Sequence, residues 1–468
     1  MNVYDRRDRK ALDQLVEEYT TTNNINRRQF LQRATAAGLS FSAASALLAA
    51  CGGGSSSSGV SAGSAPPKVT SIDALTEWSG EELDSFNAIN AAFTKKTGIK
   101  VNVESTRDLP AVLTTRVKGN NPPDIAGMPS VPTFQQLASE GKLVQLDNIL
   151  NMSQYRQDYA QTWIDFSSVN GHVYAVLPKA NSKGTIWYSP KQFQANGYTV
   201  PQTWDDMIAL SNRIASQGKY PWSMGLESAA SSGWPGADWI DQIYLSLNGI
   251  DMAKQWVAHK IPWTHPSVKQ AFQMFGQIAN GKHYINGAPQ AILATNFQDS
   301  SYLPFDNPPK AYMIYLGDFA TGFIASQFPN AQAGTDYNFF PFPVINPQYK
   351  GQITGGADIM VAMKDNDGTR QFMQFMASAE GQSIWPKRGG ATSVNKSVPL
   401  SVYPDPVTKA VAQQLTQATA VTVGEDDLMP QVMENAYWKG VLAYVQNPSQ
   451  LDSILSSLES TAQQAYSS

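Results

Sequence analysis

The sequence of 468 residues holds one cysteine, four histidines and a charged fraction of only 15%. A single cysteine, Cys51, excludes an intrachain disulfide framework. His172, His259, His265 and His283 form neither HExxH nor another close ligand set, so no metal site is expected. The stretch Asp365-Asn-Asp-Gly-Thr lacks the rest of a calcium loop, including its distant Glu, and reads as a strand-to-helix turn. There is no Gly-x-Ser-x-Gly elbow, no GxGxxG and no phosphate-binding loop, so no cofactor is expected and nucleotide binding falls to another protein. No basic run occurs, which argues against nucleic acid as a partner. Long hydrophobic runs are missing as well. The most apolar stretch near the start, residues 34–50, carries no charge but is too short and too rich in Ala, Ser and Gly to make a good membrane span.

That stretch suits the apolar part of an export signal. Seven Lys and Arg lie within residues 1–33, and Asn26-Arg27-Arg28-Gln29-Phe30-Leu31 resembles a twin-arginine signal. The stretch ends Leu48-Ala49-Ala50-Cys51, which resembles a lipobox. Acylation of Cys51 would remove an awkward lone thiol. It would also anchor the chain to the outer face of the cytoplasmic membrane, since two or more acyl chains hold stably. The sequence then runs GGGSSSSGVSAGSAPP, a flexible coil suited to a tether. The expected layout is an export signal over 1–50, lipidated Cys51 with a linker to 67, and a folded part from 68.

Beyond residue 50 the chain carries 27 basic and 33 acidic side chains, and all eleven Trp. So many flat rings can line a groove, although most Trp residues are expected in cores. About four hundred residues suggest two or more cores. A strand from Val69 to Trp78 is expected, then a capping box over Ser79-Gly-Glu-Glu82 and a helix with Leu83, Phe86, Ile89 and Phe93 on one face. Ile99, Val101 and Val103 alternate as a strand, Asp108 opens a helix, and Asn121-Pro-Pro-Asp124 turns into another strand before a helix from Phe134 to Glu140. This βαβαβα order implies a parallel sheet covered by helices. Thr203 is expected to cap a helix from Trp204, and Thr369 to precede another. Val268, Phe272, Phe275 and Ile278 form one helical face, and Leu451, Ile454, Leu455 and Leu458 another.

The passages Phe93-Thr-Lys-Lys-Thr-Gly-Ile-Lys-Val, Gly119-Asn-Asn-Pro-Pro-Asp-Ile-Ala, Gly171-His-Val-Tyr-Ala-Val-Leu-Pro, Trp187-Tyr-Ser-Pro-Lys, Pro201-Gln-Thr-Trp-Asp-Asp, Gly233-Trp-Pro-Gly-Ala-Asp-Trp and Gly355-Gly-Ala-Asp follow in an order and spacing that resemble family 1 extracellular solute-binding proteins, the carbohydrate receptors of ABC importers, including the maltose-binding type. The resemblance implies an α/β, two-lobed periplasmic-binding-protein type II fold with a hinge and an interlobe ligand cleft. Lobe 1 would hold 68–182 and 345–400. Lobe 2 would hold 183–344 and a helical part, 401–468. The implied partners are a carbohydrate ligand, an ABC permease and its separate ATPase, with the receptor acting as a monomer and not as an enzyme.

A sugar needs flat rings for its C–H faces and polar side chains for its hydroxyls. Trp78 should end the first strand, at the sheet edge where ligands bind, or else pack beneath it. Asp124 would accept hydroxyls or cap local backbone. The loop around Gly233, Pro235 and Gly236 offers Trp234, Asp238 and Trp239 as ligand contacts. The competing reading makes it a helix start with Asp238 as cap and Trp239 in the core. Asp318 and Phe319 match a family loop near the sugar. Gly356 would let backbone approach the ligand beside Asp358. Arg388 would clamp hydroxyls or sit in a solvated turn. Two other classes stay open: a receptor for a non-sugar such as a polyamine or peptide, and an exported glycosidase, which needs only two carboxylates.

Overall fold

A computed structural model describes residues 69–128 and 131–467. The export signal, Cys51 and the linker lie outside the described residues. Among the described residues no helix is long and apolar enough to cross a membrane.

The chain opens with β1 (Ser71–Thr76), α1 (Gly80–Thr97), β2 (Lys100–Ser105), α2 (Leu109–Lys118), β3 (Ile125–Met128) and α3 (Val131–Ser139). Phe86, Ile89 and Phe93 are the buried face of α1, and Gly98 ends it with φ 78°. Only a residue without a side chain takes that left-handed backbone freely. The capping box expected at Ser79 does not form, because the Ser79 side chain makes no cap hydrogen bond. At the other expected cap, Thr203 accepts from the Asp206 amide and the Asp206 carboxylate accepts from the Thr203 amide, opening α4 (Trp204–Ser216).

The first sheet is mixed rather than all parallel. β1 lies between β2 and β3, parallel to both. β4 (Ala175–Ser182) and β3 both pair antiparallel with β8 (Gln352–Ala362), which reaches the sheet after a long excursion. During that excursion β5 (Thr185–Tyr188), β6 (Met313–Tyr315) and β7 (Asn338–Pro341) form a second, three-stranded antiparallel sheet in the order β6-β5-β7. A further strand, β9 (Ala420–Val423), pairs parallel with the start of β8. The part beyond 400, expected to be helical and to join only the second lobe, therefore adds a strand to the first sheet. The chain passes between sheets at 183–184, again between Pro341 and Gln352, and again after Val423.

Each sheet has its own core. Trp78, Phe86, Phe93, Phe372 and Trp385 belong to the first. Trp204, Trp222, Trp239, Trp256 and Trp263 belong to the second, with Tyr437 and Tyr444 of α11 (Gln431–Gln446) and Leu455 and Leu458 of α12 (Leu451–Ala465). Between them come α5 (Trp234–Asn248), α6 (Pro266–Ala279), α7 (Ala320–Gln327), α8 (Asp367–Ala377), α9 (Ile384–Arg388) and α10 (Pro406–Gln417). α8 begins at Asp367, capped by Asn366, so Thr369 lies inside it rather than before it. The side-chain oxygen of Asn366 takes the Thr369 amide, which moves the start three residues upstream.

The two Ser/Thr caps should separate in mutational stability. Thr203→Ala is expected to cost about 1 kcal/mol in urea unfolding. Ser79→Ala, which removes no cap bond, should fall within about 0.5 kcal/mol of wild type. Equal losses at both sites would contradict the assignment.

Candidate functional site

A cavity of about 300 Å³ opens between the sheets. Its first wall is the carboxyl edge of β1 and β2, where the strands give way to α1 and α2 and leave polar backbone free for a ligand. Glu77 and Trp78 follow β1, Glu82 comes from α1, and Arg107 follows β2. Lys179 and Asn181 come from β4, Lys183 from the first passage between sheets, and Gly356 and Asp358 from β8. The opposite wall is Trp234 at the start of α5, Phe297, Phe319, Asp427 and Trp438 of α11.

The lysines organise the floor. Lys179 is paired with Glu82 and, at 3.2 Å, with Asp358, whose carboxylate also accepts from the Trp78 indole. Lys183 reaches Asp238 at 2.7 Å and Asp427 at 3.2 Å. A Cβ at Gly356 would come within 3.3 Å of the Lys183 Cε, so glycine there leaves room for the end of the lysine stem. Burial works against the charge on both lysines. It is outweighed on Lys179 by Asp358 and Glu82, and on Lys183 by Asp238 and Asp427, so both titrate above the usual lysine value. Such pairs are costly to break, because the partner left behind is a bare buried charge.

The carboxyls respond in the other direction. Burial lifts Glu77 to about 7 against the opposing pull of Arg107. It lifts Asp238 and Asp427 to about 7 against Lys183. It lifts Asp318 to about 6 despite hydrogen bonds from Asn181 and Thr392. Of these, Glu77 and Asp427 border the cavity, so near neutral pH a ligand there can meet both carboxylic acids, which donate, and carboxylates, which accept.

Five of the residues singled out in the sequence border the cavity: Trp78, Trp234, Phe319, Gly356 and Asp358. Trp78 does so by its edge, since Phe86 at 4.8 Å and Trp385 at 5.2 Å cover its ring. Asp238 and Asp318 stand one layer behind, holding Lys183 and Asn181 in place. Trp239 does not reach the cavity. It points into the second core against Tyr315 at 4.5 Å and Trp222 at 5.3 Å, one residue round α5 from Asp238. Asp124 lies at the amino end of β3, where it accepts from the Asp73 amide at 2.8 Å and from Asn366 at 2.9 Å. That end of the sheet is opposite the cavity, so the local-backbone reading describes it. Arg388 binds Ser85 at 3.0 Å and faces Glu81 on the flank of α1.

Lys179, Lys183, Glu77, Arg107, Asp427 and Trp438 escaped the sequence reading. A signal for the lysines existed: Lys179 lies in a strand, AVLPKANS, buried along its whole length. A charge inside such a strand needs partners. Trp438 is half-buried, and its indole donates to Asp426 at 2.8 Å. The Trp438 carbonyl sits 2.5 Å from where a Cβ on Gly233 would be, so only glycine lets the loop bring Trp234 beside it. Among the described residues no group of three or more His, Cys, Asp or Glu is arranged to hold a metal ion.

These buried acids set a pH dependence of stability. Their folded values, about 6 to 7, exceed the unfolded values near 4, so the folded chain binds more protons across that window. Their contribution is fully present below about pH 4 and is lost as pH rises through about 7. The ligand-free protein should show a higher urea midpoint at pH 5 than at pH 8. A midpoint that rises from pH 5 to pH 8 would contradict this.

A family model described as bacterial extracellular solute-binding protein matches residues 77–383. The osmoprotective compounds-binding protein GgtB of Synechocystis sp. is 34% identical over 388 residues, which cover 83% of this chain and 90% of the relative. The alpha-glucosides-binding periplasmic protein AglE of Rhizobium meliloti is 30% identical over 387 residues, covering 80% and 83%. A solved structure of the bacterial solute receptor AcbH, whose stated preference is for β-D-galactopyranose, superposes with a TM-score of 0.74 at 21% identity, over 85% of this chain and 99% of that one. It shares the two-lobed α/β fold. These matches are to solute-binding proteins rather than enzymes, and by residues 77–383 and by two relatives of nearly full length the chain belongs to the family 1 bacterial extracellular solute-binding proteins.

Proposed function

We propose that this chain is the extracytoplasmic receptor of an ABC importer, binding a small neutral sugar or glycoside between its lobes and passing it unaltered to a permease. The observation that carries the reading is the combination of two half-buried Trp rings, Trp234 and Trp438, with a floor whose lysines are each already paired with carboxylates. A sugar's C–H face stacks on such rings, and its hydroxyls both donate and accept. Lysines already matched to carboxylates can donate to a hydroxyl without demanding a charged ligand. A cavity of about 300 Å³ is at the small end of ligand sites, so one or two sugar rings fit better than a long oligosaccharide. The names of GgtB and AglE, osmoprotective compounds and alpha-glucosides, support a small glucoside.

A second reading rests on the lining itself, which carries more carboxyl groups than cations. That surplus favours a cationic solute such as a polyamine. Titration calorimetry with glucosylglycerol, trehalose, sucrose and maltose against spermidine separates the two. Binding of spermidine alone would replace the sugar reading. Product analysis after incubation should return the tightest sugar intact, and cleaved sugar would overturn the receptor role.

Trp234→Ala and Trp438→Ala should each weaken binding of that sugar by about 1–3 kcal/mol with unfolding still cooperative. Trp239→Ala should act instead on the fold, lowering stability by about 3–5 kcal/mol. Full affinity in the Trp234/Trp438 double variant would remove this wall from the site.

The lipobox-like ending at Cys51 supports attachment to the membrane by acyl chains. In cell fractionation, Cys51→Ala should move the protein from the membrane fraction to the soluble one. An unchanged distribution would rule out the anchor.

A further inference from the structure

Arg107 stands on the first sheet's side of the cavity and ends on the other. Its guanidinium donates to the Glu77 carbonyl at 3.2 Å and lies 3.8 Å from the Glu77 carboxylate, both beside β1. Its other terminal nitrogen donates to the Ser228 hydroxyl at 2.8 Å, in the loop leading to α5. The same guanidinium lies 5.8 Å from the centre of the Phe297 ring. Arg107 is thus bonded to both sides of the cleft at once.

The receiving side is a built socket. Ser228 is 2% exposed, and its amide donates to the Ser232 hydroxyl at 2.9 Å. Glu227 takes the Ala229 amide at 2.7 Å and the Asn296 side chain at 2.8 Å, and Arg107 adds to the forces that hold its carboxyl below the usual value. Ala229 is held at φ 51°, a left-handed conformation that costs a non-glycine residue energy and persists where surrounding contacts impose it. The loop therefore presents the Ser228 hydroxyl in a fixed direction, with Phe297 beneath the incoming cation.

We propose that Arg107 and Ser228 form a latch across the mouth of the cleft, which favours the closed arrangement and sets how fast ligand leaves. The inference rests on the reading of the cleft as one that closes on its solute. Arg107 also borders the cavity, so its own replacement would mix latch and ligand effects. Ser228 is not among the residues that border the cavity, which makes it the clean probe. The bond is charge-assisted and exists only when the lobes are together, so its loss acts on opening more than on encounter. Other contacts cross the mouth, including Ser326 to Glu81 at 2.7 Å and Thr133 to Gln431 at 2.9 Å. The Ser326–Glu81 bond is exposed and the Thr133–Gln431 bond joins neutral groups, whereas the Arg107–Ser228 bond is part-buried and charge-assisted, so the latch is assigned to the Arg107 side.

Stopped-flow binding with trehalose as the probe should show the dissociation rate of Ser228→Ala raised about tenfold, with the association rate within about twofold of wild type. Ser228→Thr, which keeps the hydroxyl, should restore the slow rate. Arg107→Ala combined with Ser228→Ala should dissociate no faster than Arg107→Ala alone. Ligand-free scattering supplies a readout that needs no sugar: Ser228→Ala should have the larger radius of gyration. An unchanged dissociation rate, additive effects in the double variant, or identical ligand-free radii would overturn the latch. If trehalose does not bind wild type, the tightest of the other sugars serves as the probe; if no sugar binds, the sugar reading has failed, and scattering alone then decides the latch.

Discussion

Lys183 occupies the first passage between the sheets, and its ammonium is held by one carboxylate from each direction: Asp238 from α5 of the second lobe and Asp427 from the segment that follows β9. Burying a lone ammonium there would be prohibitive, so the passage can exist only where both carboxylates arrive. Their arrival fixes how α5 and the third passage sit against the first. The cavity floor follows from this, because the same ammonium borders it. Glycine at 356 and at 233 then clears space on either side, one for the lysine and one for the neighbouring Trp rings.

The second lysine works on a different scale. Lys179 ties Glu82 in the first turn of α1 to Asp358 in the middle of β8, and Asp358 in turn holds the edge of Trp78. Residues far apart in sequence thereby share one charge network. The binding surface on the first-lobe side is a by-product of neutralising a buried cation. A sheet that must accept a strand after so long an excursion gains its registration partly from such polar ties, while the apolar faces supply most of the free energy.

Local structure was largely legible in the sequence because helices and strands of the first hundred folded residues carry clean periodicity and turn residues at their ends. The mixed sheet was not legible, since β8 and β9 reach it only through tertiary contacts. The site was partly legible for a related reason. Trp234 and Phe319 sit at helix starts marked by Gly, Pro and aromatic residues, Gly356 and Asp358 sit in β8 at a Gly-Gly pair, and all four border the cavity. Lys179 and Lys183 sit in or next to a strand of otherwise uncharged residues and looked like ordinary framework. Trp239 misled because it adjoins Asp238 in an aromatic-rich loop, yet a helix turns neighbouring side chains about 100° apart. That rotation sends one toward Lys183 and the other into the core.

The threefold passage between sheets has a bearing on biosynthesis. β3 and β4 leave the ribosome early, but β8, which pairs with both, follows only after the whole second sheet and most of its helices have been made. Until then the edges of β3 and β4 are unpaired, and unpaired edges invite association with other chains. The first lobe is thus begun first and completed late, after the loop it must close has reached nearly its full length. A nascent or truncated chain ending before Gln352 would carry a half-built sheet, a state suited to capture by chaperones.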